Sequence, residues 1–381
     1  MRSNYKTLGD YIQMVDERNR GGEIDYLLGV SINKQFIPSI ANIVGTDLSN
    51  YKIVRTGQFA YGPVTSRNGE KISIALLKDK DCIISSSYTV FEVINKEELD
   101  PEYLMLWFSR PEFDRYTRYM SHGSVREIFG WDEMCKVELP VPPIEKQHSI
   151  VKAYKAITNR IALKRKINEN LEAILTATFK KMFVENEAIQ YTSKKLHELA
   201  KTIDNRGKTP PNDYAETPYP LIEIAALRTT GRIATYRNCV KFVSENTYNT
   251  WFRSGHPKQK DILMSTVGSL AELKLFWGNK GSIAQNIVAF RCYDENLPMY
   301  LYQYLIRKQH ELAAYEIGSV QASIKVSQIV EYDIDIPPKD LLNEFDKIAT
   351  RLTEQIFDNE ANIDVCHRLC EILLQQLSST V

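Results

Sequence analysis

The feature that most limits what this chain can fold into is that it repeats itself. Offset by 195 residues, Gly123-Ser124-Val125 falls on Gly318-Ser319-Val320, Val141-Pro142-Pro143 falls on Ile336-Pro337-Pro338, and Leu139 falls on Ile334. The register holds past the prolines, where Ile150, Ile157 and Ile161 match Phe345, Leu352 and Ile356. With small shifts it reaches upstream, pairing Tyr103-Leu104 with Tyr300-Leu301, Phe91 with Phe290 and Leu8 with Leu196. A period this long means two copies of one structural unit, so the fold of one predicts the fold of the other. The length of 381 residues accommodates two such units with their own cores.

Within each copy the pattern changes twice. β-branched and aromatic runs such as Cys82-Ile83-Ile84 and Ile287-Val288-Ala289-Phe290, bounded by Gly, Asn and Ser, predict strands. Around 100–119 and 297–316 the spacing becomes helical, with Pro101 where the first turn of a helix tolerates proline. Each globular part, 1–143 and 184–338, is therefore α+β with more strand than helix. The segments 144–183 and 339–381 contain neither Gly nor Pro and carry apolar residues at alternating three- and four-residue steps. The first seam reads Ile150, Tyr154, Ile157, Ile161, Leu171, Leu175, and the second Phe345, Leu352, Ile356, Ile363, Leu373, Leu377. About 40 residues at 1.5 Å per residue gives helices roughly 60 Å long. Lys164, Asn168 and Asn359 interrupt the seams, as residues that fix register do.

Charge divides the two helices. Segment 144–183 sums to +6 and segment 339–381 to −4, which favours pairing with each other, antiparallel, over pairing with themselves. The whole chain is neutral, with 48 Lys plus Arg against 48 Asp plus Glu, so the total conceals local excesses. Segment 228–260 carries Arg228, Arg232, Arg237, Lys241, Arg253, Lys258 and Lys260 against Glu245 alone. Segment 52–78 carries Lys52, Arg55, Arg67, Lys71 and Lys78 against Glu70. Both runs are interleaved with aromatic and amide residues at matching places in the two copies. Phosphate contacts supply affinity and Arg or Asn side chains read base edges, so these runs are candidate DNA contacts, together with Asn68, Arg126 and Lys325. The bland alternative is a solvated face on a non-enzymatic scaffold whose coiled coil joins two protein-binding modules.

Catalytic motifs are missing. Gly207-Lys208-Thr209 imitates the end of a phosphate-binding loop, but Thr202 stands where that motif needs glycine, and Pro210-Pro211 breaks the helix that should follow. The six cysteines form no C-x-x-C pair, so neither a metal site nor a disulfide framework is expected. No apolar stretch is long enough for a membrane span, and the reading is a cytoplasmic, non-catalytic protein.

These residues, in this order and twice over, resemble the specificity subunit of type I restriction-modification systems, the HsdS family. The resemblance covers essentially the whole chain. It is carried by the openings Leu8-Gly9-Asp10 and Leu196-His197-Glu198, by Arg67-Asn68-Gly69-Glu70-Lys71-Ile72, and by Ser86-Ser87-Tyr88-Thr89-Val90-Phe91. Asp261-Ile262-Leu263-Met264-Ser265 and Leu139-Pro140-Val141-Pro142-Pro143-Ile144-Glu145-Lys146-Gln147 complete it. It implies two target-recognition domains, each reading one half of a bipartite site in double-stranded DNA, with antiparallel spacer helices setting the gap. It further implies two methyltransferase subunits docked on the spacers and a restriction/helicase subunit beyond them. No cofactor is expected in this chain; S-adenosylmethionine, ATP and Mg belong to the partners. The second copy departs from the pattern, because Lys339-Asp340-Leu341-Leu342 follows its Pro-Pro and lacks the Glu-x-Gln step.

Overall fold

Both copies of the repeat build the same four-stranded antiparallel sheet. In the first, neighbouring strands run Ile12–Val15, Thr89–Val93, Phe59–Tyr61 and Ile74–Leu76; in the second, Ala200–Ile203, Ile287–Cys292, Ile262–Ser265 and Leu273–Leu275. Phe91 lies opposite Met14 and Phe59, and Phe290 opposite Thr202 and Ile262, so the two phenylalanines matched in sequence hold one position in one topology. The computed structural model describes residues 5–39, 47–66, 69, 71–122, 127–317 and 322–378. The chain divides into one unit of residues 1–160 with 366–381 and another of residues 161–365.

In each unit a helix beginning on proline, Pro101–Phe108 or Pro298–Arg307, covers the sheet. Proline suits a first turn, where its missing N–H would have had no partner. Tyr103 then donates its hydroxyl to the Pro140 carbonyl at 3.1 Å, and Tyr300 donates to the Asp335 carbonyl at 2.5 Å. These are the same carbonyl under the 195-residue offset. They belong to the closing strands Glu138–Pro140 and Asp333–Ile336, which pair antiparallel with the opening strands Tyr5–Thr7 and Thr192–Lys195. Burial raises both phenol pKa values, as a hydrogen-bonded neutral hydroxyl in a core requires.

Aromatic packing closes both cores. In the first unit Phe59 stacks on Phe91 at 4.8 Å between ring centroids, and Phe108 meets both edge-on. In the second, Phe179 and Phe183 from the end of one long helix pack on Tyr300 and on Phe345 of the other, at 4.9–5.6 Å. Each such pair contributes about 0.5–1.5 kcal/mol beyond its buried area.

The long helices, Ile144–Phe179 and Lys339–Gln376, start directly after the Pro-Pro pairs. Every residue named in the two seams is buried or half-buried. Within the second unit the helices run antiparallel, since Phe179 meets Phe345 at one end and Lys164 meets Asn359 at the other. The polar interruptions form one connected layer. Lys164 Nζ donates to Asn359 Oδ1 at 2.7 Å, Asn359 Nδ2 to Asn168 Oδ1 at 2.8 Å, and Asn168 Nδ2 to Glu360 Oε1 at 2.8 Å. A one-turn slip would break all three bonds in an apolar seam, so the layer fixes register.

The sequence departure after the second Pro-Pro also has a structural meaning. Gln147 is fully buried, accepts from the Asp100 N–H and donates to the Glu98 and Pro142 carbonyls, whereas its repeat partner Leu342 is packed in an apolar cluster. Gln147→Leu should therefore leave three partly buried backbone groups without this partner and lower stability by about 1–3 kcal/mol, measurable by urea unfolding.

Candidate nucleic-acid interface

The basic runs do not all face outward. In the first unit Lys52 is only 8% exposed, on the strand Lys52–Val54, with Nζ 3.3 Å from Asp16. Arg55 is held between Glu17 and Asp81, and those bonds, Glu17 foremost, hold its guanidinium above its ordinary pKa. Lys71 is exposed. Arg67, Asn68 and Arg126 lie outside the described residues, as do the two Gly-Ser-Val motifs.

In the second unit four of the seven basic residues in 228–260 are committed to carboxylates. Arg232 is 1% exposed and bound to Glu172; Arg237 pairs with Asp364, Lys241 with Glu223 at 3.0 Å, and Lys260 with Asp346 at 3.1 Å. Arg232 in particular leaves the set of phosphate contacts, because a buried, paired guanidinium has no donor to offer a duplex. Lys52 and Lys260 are likewise tied into the fold, whereas Arg55, paired as it is, keeps 41% of its side chain exposed. Arg228, Arg253, Lys258 and Lys325 remain exposed, with Arg228 Nε on Ser269 Oγ at 2.6 Å and Arg253 Nη2 on the Arg206 carbonyl at 2.7 Å.

Around Arg253 the fold gathers polar groups that charge counting missed. Asn205, buried, donates to the Gly255 carbonyl at 2.8 Å and accepts from the Ser254 N–H at 2.9 Å, joining the loop 204–212 to the turn 253–256. Burial favours the neutral form of Asp204, but bonds from Arg206 prevail and hold its carboxyl below the usual range. Gly207 takes a φ of +117°, which suits glycine, and turns the chain so that Lys208 and Thr209 stand exposed. Gln285, at a φ of +34°, donates to the Thr209 hydroxyl. Lys208, Arg253 and Gln285 thus share one rim, with the donor types that bind phosphates and base edges. The signal for this rim was Gly207-Lys208-Thr209 itself, a turn rather than a nucleotide loop.

The long helices carry a second kind of surface. Leu163, Ile167 and Ile174 are exposed on the first, Leu163 by 63%, and Ile348, Val365, Leu369 and Ile372 on the second. The first three lie four and seven residues apart, and Val365, Leu369 and Ile372 four and three apart, so exposed apolar side chains recur on these helices in addition to the buried seam. Among the described residues no group of His, Cys, Asp and Glu could hold a metal ion, all six cysteines are free thiols, and no helix is long and apolar enough to cross a membrane.

Comparison with known proteins accounts for this doubled architecture. The sequence model described as the type I restriction modification DNA specificity domain matches twice, over residues 16–173 and 189–362. The MjaIX type I restriction enzyme specificity subunit of Methanocaldococcus jannaschii is 22% identical over 319 residues, which are 75% of this chain and 70% of that one. The HindI specificity subunit of Haemophilus influenzae is 25% identical over 197 residues, 48% of this chain and 42% of that one. The crystal structure of the S subunit of a type I system from M. genitalium superposes with a TM-score of 0.60 at 14% identity, covering 98% of this chain and 95% of that one. With the same domain matched in both halves and the same fold along nearly its whole length, the chain belongs to the type I restriction-modification DNA specificity family.

Proposed function

We propose that this chain is the DNA-reading subunit of a type I restriction-modification complex and performs no chemistry itself. The observation that carries the reading is the doubled specificity domain on one sheet topology, each copy ending in a long helix. Each globular part reads one half of a bipartite, asymmetric site in double-stranded DNA, and the helices set the gap. In the second domain the rim of Lys208, Arg253 and Gln285, with Arg228, Lys258 and Lys325 as further exposed candidates, meets the duplex. In the first, the exposed Lys71 and Lys78 are described candidates.

The exposed apolar residues of the long helices support docking of partner helices, and two methyltransferase subunits are the partners we assign there. S-adenosylmethionine is then bound by those subunits, and ATP with Mg by a restriction/helicase subunit, in the cytoplasm where the DNA is. A scaffold joining two protein modules is the competing reading, and salt separates the two. A DNA reader loses affinity steeply with salt, the slope of log K against log salt falling by about 0.9 per phosphate contact. Measured on a bipartite duplex, Lys208→Ala and Arg253→Ala should each reduce that slope by about one. Binding that does not change between about 50 and 200 mM salt would contradict the reading.

A further inference from the structure

Segment 229–238 carries Arg232 inward and ties together parts of the second unit that are far apart in sequence. The Arg232 backbone N–H and Nε donate to the two oxygens of Glu172, at 2.8 and 2.9 Å. Nη1 lies 3.4 Å from Thr353 Oγ1 and Nη2 3.3 Å from Gln303 Oε1, with the guanidinium 5.5 Å from the Tyr302 ring centroid. Glu172 belongs to the first long helix, Thr353 to the second, and Gln303 to the helix Pro298–Arg307.

On its other side the segment is bound to the edge strand of the sheet, Leu273–Leu275. Lys274 Nζ donates to the Thr229 and Gly231 carbonyls, the Leu275 N–H to the Arg232 carbonyl at 2.7 Å, and the Ala234 N–H to the Leu275 carbonyl at 3.1 Å. Between segment and helices lies a cavity of about 660 Å³, lined by Asn168, Ile233, Phe357 and Ala361 among others. The polar contact across that space is concentrated at two ion pairs, Arg232 with Glu172 and Arg237 with Asp364.

We propose that Arg232 is a positioning residue that fixes the orientation of the second recognition domain on the helix pair, and so the gap at which the second half-site is read. This rests on the function proposed above. A carboxylate bound through one oxygen by the Arg232 backbone N–H and through the other by Nε, with Nη1 and Nη2 directed to Thr353 and Gln303, fixes direction as well as distance, which apolar packing of equal volume does not. The device belongs to one copy only. The 195-residue offset places Thr158 at the position of Thr353, but His367 at that of Glu172, so the acidic half of the clamp has no counterpart in the first copy.

The test uses the chain assembled with its methyltransferase subunits, on duplexes that carry its own target with the native gap, one base pair shorter and one longer. Arg232→Lys and the double variant Glu172→Leu/Arg232→Leu are compared with the unaltered chain, and thermal unfolding confirms that the double variant is folded. A displacement of about 1 Å can change rates by about 100-fold, so the preference for the native gap should fall at least about tenfold, with base preference in the first half-site unchanged. A folded double variant that keeps the full gap preference would overturn the proposal. An unaltered chain that shows no gap preference would instead overturn the function on which the proposal rests.

Discussion

Arg232→Ala should lower the stability of the second unit by about 3–5 kcal/mol, the range seen when one partner of a buried ion pair is removed. The loss has three sources in the structure: the Glu172 carboxylate loses the Nε donor and keeps only the backbone N–H, Thr353 and Gln303 lose a shared partner, and a large, fully enclosed side chain is deleted. Glu172 keeps some access to water, with 24% of its side chain exposed, so the lower half of that range is expected. The double variant Glu172→Leu/Arg232→Leu should come close to the unaltered chain, because replacing both charges by apolar groups removes the desolvation cost along with the attraction. Urea unfolding of Glu172→Leu, Arg232→Leu and the double variant completes a cycle that isolates the pair. Equal losses from single and double variants would contradict the assignment of an ion pair.

Removing one matched heptad from each long helix, away from the Lys164–Asn168–Asn359 layer, should change the target itself. Seven residues shorten a helix by about 10 Å. At about 3.4 Å per base pair that corresponds to roughly three base pairs of gap. The seam keeps its register because a heptad is its repeat. Sequencing of methylated sites should then show the same two half-sites at a shorter spacing. An unchanged spacing would mean the helices do not act as the ruler.

The repeat, the Pro-Pro boundaries and the seam were legible in the sequence because their determinants are local or periodic. Tyr103 and Tyr300 were matched by position alone, and the fold shows them capping equivalent carbonyls. The polar residues in the seam were legible as register elements, although their partners across the pair were not. The basic runs misled because a window sums only neighbours in sequence. Glu172 lies 60 residues from Arg232, and Asp364 lies 127 from Arg237, so folding neutralised what looked like a positive face. The rim around Arg253 was hidden for the opposite reason. Its residues come from 205–212, 253–256 and 285, and what unites them is the buried Asn205, a polar residue with no charge to count.

The most direct test of the central claim is sequencing of methylated bases in cells that carry a type I methyltransferase subunit, the partner proposed above, with and without this chain. The account predicts one two-part motif with a fixed gap that is methylated only when the chain is present. Identical methylation in the two cell lines would contradict it.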